Sequence, residues 1–208
     1  MVKRNNPYVG DARTRQAKLE GYPARSVYKL EEIDQRCHLL HQGQRVLDLG
    51  AAPGSWSLYA AGRIGAQGLV VAIDLKPMSQ VFPSQVIALQ SDAFDPENAD
   101  WAGHAPFDLV MSDMAPNTSG SKVRDQVLSH DLFMRALEIA KRLSRPKSNF
   151  VGKLFMSNEF ATAKTSVAKA YGQVRVLRPE GTRHSSSEVF LVGLGRVADE
   201  SQAPKLAK

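Results

Sequence analysis

The sequence predicts an α/β domain built on a mostly parallel, seven-stranded sheet with helices on both faces. Three observations predict it. Short apolar, β-branched runs alternate with segments of helical periodicity, as in parallel sheets covered on both sides. The first run ends in a glycine-rich turn, Gly50-Ala-Ala-Pro-Gly54. Asp48, Asp74, Asp92 and Asp113 all fall at or near the carboxyl ends of strands, where such sheets bind ligands.

The chain opens on a basic, partly disordered arm, residues 1–22. Lys3, Arg4, Arg13, Arg15 and Lys18 stand there against Asp11 and Glu20. Met1 to Gly10, with Lys3, Arg4, Asn5, Asn6 and Pro7 in succession, reads as disordered. A single domain is expected over residues 23–196, followed by a disordered tail, 197–208. Residues 24–37 are helical, with Val27, Leu30 and Ile33 near one face. Residues 45–49, Arg-Val-Leu-Asp-Leu, are a buried strand running into the glycine turn, and a helix starts near Ser55. Strands follow at 69–73, 86–89 and 107–111. Residues 126–143 are a long helix with Leu128, Leu132, Ala136 and Leu143 at helical spacing. A strand at 150–155, a helix at 161–170 and strands at 174–176 and 189–192 complete the pattern.

Composition narrows the function. A chain of 208 residues suits one α/β domain. No apolar run approaches a membrane span, so no membrane partner is expected. A single cysteine, Cys37, leaves no internal disulfide and no multi-cysteine metal site, and makes a reducing cytoplasm the default. His38, His41, His104, His130 and His184 show no metal-ligand spacing, and no metal is expected. The net charge of +6 suggests a polyanionic partner.

The turn after the first strand is neither a P-loop nor G-x-G-x-x-G. Asp74 lies 20 residues beyond Gly54, counting 74 − 54. An acidic group at that distance accepts hydrogen bonds from ribose hydroxyls in nucleotide-binding α/β folds. Asp92, after the third strand, is placed to meet an adenine amino group. Trp56 follows the loop, where tryptophan more often packs in the core or at a rim than stacks on a ligand.

These residues resemble a known family. Val46-Leu-Asp-Leu-Gly-Ala-Ala-Pro-Gly-Ser-Trp-Ser57 resembles the first motif of the FtsJ/RrmJ ribose 2′-O-methyltransferases, and Ser112-Asp-Met-Ala-Pro-Asn117 their fourth-strand motif. Arg25 to Ile33, Phe150 to Phe155 and Arg178 to Phe190 are similar to the segments carrying the family's two catalytic lysines and its glutamate. The matches run from about Arg25 to Gly195.

The resemblance implies a Rossmann-like class I fold and S-adenosylmethionine as methyl donor. It implies a catalytic tetrad of Lys29, Asp113, Lys153 and Glu188. Cofactor contacts carry over to Gly54, Trp56, Asp74, Asp92 and Asp113, and Gly50, Ala52 and Pro53 complete the expected set. The implied substrate is a ribose, a uridine's, in ribosomal RNA or the large ribosomal subunit, with the chain acting as a monomer. Another structured RNA such as tRNA, or a non-catalytic RNA-binding role in ribosome assembly, is the alternative.

Some positions depart from the pattern. Ser55 replaces the usual second glycine, and Ala24 replaces a common serine. Lys147-Ser-Asn149 stands where a Gly-Gly turn is expected, and Met156-Ser157 where the family has Gln-Gly.

Methyl transfer to a hydroxyl needs positioning and a destination for the proton. Burial of Lys153 in an apolar strand favours a neutral amine, as does Lys29 nearby, whereas Asp113 and Glu188 favour the ammonium. The sequence leaves that balance open.

Overall fold

The structure, a computed structural model, describes residues 12–95, 100–117, 119–180 and 187–198. The expected disorder at residues 1–10 and in most of 197–208 therefore falls outside the described residues. Among the described residues, five helices and seven strands follow one another: α1 (Ala12–Leu19), α2 (Val27–Cys37), β1 (Arg45–Leu49), α3 (Ser55–Ile64), β2 (Leu69–Asp74), β3 (Val86–Gln90), β4 (Phe107–Ser112), α4 (Lys122–Leu143), β5 (Ser144–Phe155), α5 (Phe160–Ala170), β6 (Tyr171–Leu177) and β7 (Glu188–Arg196). A short 3₁₀ turn, Asp100–His104, precedes β4.

The strands form one sheet in the order β3-β2-β1-β4-β5-β7-β6. All neighbours pair in parallel except β7, which runs antiparallel to both β5 and β6. The chain builds outward from β1 to β3, then returns to β1's other side with β4. The crevice between the carboxyl ends of β1 and β4 is thus the topological switch point of the sheet.

Period-two alternation divides the core in two. Leu47, Leu49, Val71, Ile73, Val110, Phe150 and Leu154 face α4 and α5. Val46, Val70, Leu109, Met111, Val151 and Phe190 face α2 and α3. Strands buried on both faces read as continuous apolar runs, which is why β1, β2 and β4 are legible in the sequence.

Several boundaries differ from the periodicity. The helix expected over 24–37 begins at Val27, because residues 24–26 wind in through i→i+3 contacts: Tyr28 N donates to Arg25 O at 3.2 Å and Lys29 N to Ser26 O at 3.0 Å. Helix α4 starts four residues before Gln126, at polar Lys122, where apolar periodicity carries no signal. Strand β5 starts six residues before Phe150, across a register shift opposite Phe107 and Leu109. Lys147 in that stretch adopts φ +66°, the left-handed conformation for which a glycine is the usual residue. Strands β6 and β7 also extend past their apolar cores at both ends.

Part of the basic arm is helical. Helix α1 buries Ala17, and Tyr22 N donates to Ala17 O at 2.8 Å. Helix α2 is fastened to α3 by Asp34, which is 2% exposed. Its Oδ1 accepts from Leu39 N and Leu40 N, each at 2.9 Å, and its Oδ2 from Tyr59 Oη and Arg63 Nε, each at 3.2 Å. A buried carboxylate with four donors is satisfied rather than stranded.

Candidate active site

A cleft of about 300 Å³ opens at the switch point. One wall is the turn after β1, with Gly50 and Ala52, and the end of β2, with Ile73, Asp74 and Leu75. The loop after β3 brings Asp92, Ala93 and Phe94, and the loop after β4 brings Asp113, Met114 and Asn117. Gly50 has φ +76°, and a Cβ there would lie 2.6 Å from Met114 Cγ and 3.0 Å from Met114 Cα. Only a residue without a side chain lets the β1 and β4 loops approach this closely.

Asp74 is held by the loops it serves. Its Oδ2 accepts from Ala52 N at 2.9 Å and its Oδ1 from Lys76 N at 2.8 Å. Asp92 Oδ1 accepts from Phe94 N at 2.8 Å. Two carboxylates with spare lone pairs, set among Ile73, Leu75, Phe94 and Met114, suit a ligand that carries hydroxyl and amino donors on a flat apolar ring.

The four expected catalytic side chains come together as two ion pairs. Lys153 Nζ lies 2.8 Å from Asp113 Oδ1 and also donates to the Asp113 carbonyl. Lys29 Nζ lies 2.6 Å from Glu188 Oε2. Lys153 is 5% exposed and Lys29 11%, so both ammonium groups are largely withdrawn from water and each needs its carboxylate. Register explains the assembly. Lys153 is directly opposite Phe190, and Phe155 opposite Glu188, so Lys153, Glu188 and Phe190 share the face that α2 covers. Lys29 Nζ stands 5.9 Å from the centre of the Phe190 ring, close enough for a cation–π contact.

Asp113 joins the two halves of the site, since it lines the cleft and grips Lys153. Beneath it, Asp48 is fully buried in β1. Desolvation pushes its carboxyl up to about 7; Ser57 Oγ, donating to Oδ2 at 2.6 Å, opposes the shift, and the negative Asp113 and Asp74 add to it. Asp48 Oδ1 has no partner among the described residues, which favours the neutral acid over a bare charge.

Of the residues expected to hold a cofactor, Gly50, Ala52, Asp74, Asp92 and Asp113 line the cleft. Pro53 and Gly54 are not among its lining residues; Gly54, at φ +108°, leads into α3 beneath Phe82, whose ring a Cβ would strike at 2.7 Å. The indole of Trp56 turns away from the cleft. It is 2% exposed, packs 5.8 Å from Phe190 and donates from Nε1 to Ser26 O at 2.9 Å. An apolar ring beside an apolar sheet face is drawn into the core rather than toward a polar cleft.

Sequence reasoning passed over Phe94 and Met114, which supply apolar wall. Phe94 stands two residues after Asp92 and was readable as a flanking aromatic; Met114 carried no signal of its own. The departures Ser55 and Ala24 meet each other: Ser55 Oγ accepts from Ala24 N at 2.8 Å and donates to Ala24 O at 3.0 Å. A larger groove of about 650 Å³ runs along α4 past His130, Arg135 and Lys141, and none of the expected site residues lies in it. Among the described residues no three His, Cys, Asp or Glu side chains group to hold a metal ion, and no helix is long and apolar enough to cross a membrane.

Comparison with known proteins bears on the chain as a whole. The family described as FtsJ-like methyltransferase matches residues 22–196. The ribosomal RNA large subunit methyltransferase E of Sorangium cellulosum is 56% identical over 197 residues, covering 94% of this chain and 93% of its own. The protein of the same name from Syntrophobacter fumaroxidans is 46% identical over 188 residues, covering 89% and 95%. A crystal structure of a Plasmodium falciparum protein, provisionally described as a ribosomal RNA methyltransferase, superimposes with a TM-score of 0.75 at 22% identity, over 86% of this chain and all of the other, which speaks to the fold alone. With the fold, the cleft and the paired lysines in place, the chain belongs to the FtsJ-like methyltransferase family.

Proposed function

We propose that this protein transfers a methyl group from S-adenosylmethionine to a ribose 2′-hydroxyl, a uridine's, in large-subunit ribosomal RNA. The observation that carries the reading is Asp113, which lines the cofactor-sized cleft and at the same time holds the buried ammonium of Lys153. The substrate follows the relatives named for large-subunit ribosomal RNA, and the net charge of +6 suits an RNA partner. Acting on ribosomal RNA, the chain would work in the cytoplasm, as a monomer.

The cleft residues fit the donor. In this reading Asp74 accepts from the ribose hydroxyls, Asp92 from the adenine amino group, and Phe94, Ile73 and Met114 pack on the ring; all five line the cleft. When bound, S-adenosylmethionine supplies an electrophilic methyl on a sulfonium. The chain's own residues do the rest. Lys153, Asp113, Lys29 and Glu188 orient the hydroxyl in line and give its proton an acceptor.

Removing Asp74 tests the cofactor half. Asp74→Ala is expected to weaken S-adenosylmethionine binding by about 1.5–3 kcal/mol, from the lost bonds to a charged acceptor. Titration calorimetry on the folded variant decides, and unchanged affinity removes Asp74 from the site. The substrate half is tested by mapping ribose methylation across all RNA from cells with and without the protein. One 2′-O-methyl group should vanish from large-subunit ribosomal RNA. Loss of a base methyl instead, or a loss confined to tRNA, overturns the reading.

A further inference from the structure

We propose that Ser55 and Trp56 are positioning residues that hold Lys29 in place, so that the glycine turn and the lysine helix move as one unit; the proposal rests on the reading of Lys29 as catalytic.

Ser55 and Trp56 follow Gly54 directly and open α3. Both are buried, at 1% and 2% exposure, and neither lines the cleft. Ser55 Oγ takes the amide of Ala24 at 2.8 Å and returns its own proton to the carbonyl of Ala24 at 3.0 Å. Trp56 Nε1 donates to Ser26 O at 2.9 Å. That same carbonyl accepts the amide of Lys29 at 3.0 Å. The indole is therefore separated from the Lys29 backbone by a single shared acceptor.

The other end of Lys29 rests on the same structure. Its Nζ stands 5.9 Å from the Phe190 ring centre, and Trp56 packs on that ring at 5.8 Å. Phe190 in turn lies opposite Lys153 in the sheet. Ser55 thus sets the lead into α2, Trp56 sets the first turn, and the Trp56–Phe190 pair sets the floor under the ammonium that meets Glu188 at 2.6 Å. Residues 24–26 enter α2 through i→i+3 contacts, of which Val27 N to Ala24 O spans 3.4 Å. Loss of the two side-chain bonds loosens this lead, and displacement of a reacting group by about 1 Å can cost on the order of a hundredfold in rate.

The test is a double-mutant cycle between Ser55→Ala and Lys29→Met in the full chain. Single-turnover transfer of a labelled methyl from saturating S-adenosylmethionine is measured on large ribosomal subunits from cells lacking the protein, well below the melting temperature. Ser55→Ala alone should slow transfer by roughly 10–100-fold with S-adenosylmethionine affinity kept within about twofold. In the Lys29→Met background the same change should cost almost nothing further, because the group it positions is gone. An equal loss in both backgrounds overturns the proposal while leaving Lys29 catalytic. Full activity of Lys29→Met by itself removes the catalytic reading and the proposal with it. Trp56→Phe, which keeps a ring against Phe190 and loses the N–H to Ser26, enters the same cycle should Ser55→Ala fail to fold.

Discussion

Replacing Lys153 by methionine or by arginine is expected to slow methyl transfer by roughly 10²–10⁴-fold, the usual worth of a positioned acid–base group, with S-adenosylmethionine binding nearly unchanged. Methionine keeps most of the stem and removes the amine. Arginine keeps the charge but brings a planar group that does not release its proton at working pH. The surroundings sharpen the expectation for arginine. Lys153 is 5% exposed and meets Asp113 at 2.8 Å, beside the β4 loop that Gly50 already allows to approach closely. If Lys153 serves only as an electrostatic anchor for RNA, arginine retains most of the activity and added substrate rescues methionine. Single-turnover methylation at saturating RNA separates the two. An active Lys153→Arg enzyme under those conditions would sink the proton-handling role and leave positioning by Asp113 and Glu188.

The second large effect is on stability against pH. Burial raises the Asp48 carboxyl to about 7 in the folded chain, against roughly 3.9 in an unfolded one. Below pH ~4 Asp48 is protonated in both states, and its contribution to stability is fully present. As pH rises from about 4 to 7 the unfolded state ionises first, and the folded state loses stability at about 1.4 kcal/mol per pH unit. Above the folded value both states are charged and the loss levels off, having reached on the order of 4 kcal/mol. Asp48→Asn cannot ionise and still offers an acceptor to Ser57. Urea denaturation of both proteins at pH 5, 6, 7 and 8 should therefore show the variant gaining on the parent by about 3 kcal/mol across that range. A difference that does not change with pH means that Asp48 is charged in the native state.

Much of the fold was legible because buried strands advertise themselves. Leu69-Val-Val-Ala-Ile73 and Phe107-Asp-Leu-Val-Met111 are apolar on both faces, and helix α4 repeats its apolar residues at helical spacing. Boundaries were less so. Lys122 to Asp125 are helical through backbone bonds and a Ser119–Asp125 contact, in which Ser119 N and Oγ both donate to Oδ1 at 2.9 Å, and neither leaves an apolar trace. Ser144 pairs with Phe107 and Asn149 with Leu109 across a register shift, which no period in the sequence announces.

The amino-acid sequence by itself determined the α/β class and the glycine turn at the carboxyl end of β1, and the resemblance of its motifs singled out Lys29, Asp113, Lys153 and Glu188, because strand periodicity and short motifs are local properties of the chain. Tertiary structure decided who meets whom. Lys29 and Glu188 are 159 residues apart and Asp113 and Lys153 are 40 apart; the parallel β4–β5 register, the antiparallel β5–β7 register and the packing of α2 on that face bring them together as two pairs. It also sent Trp56 to the core and Ser55 to Ala24, since hydrophobic periodicity says which face a side chain takes and says nothing about the partner packed against that face.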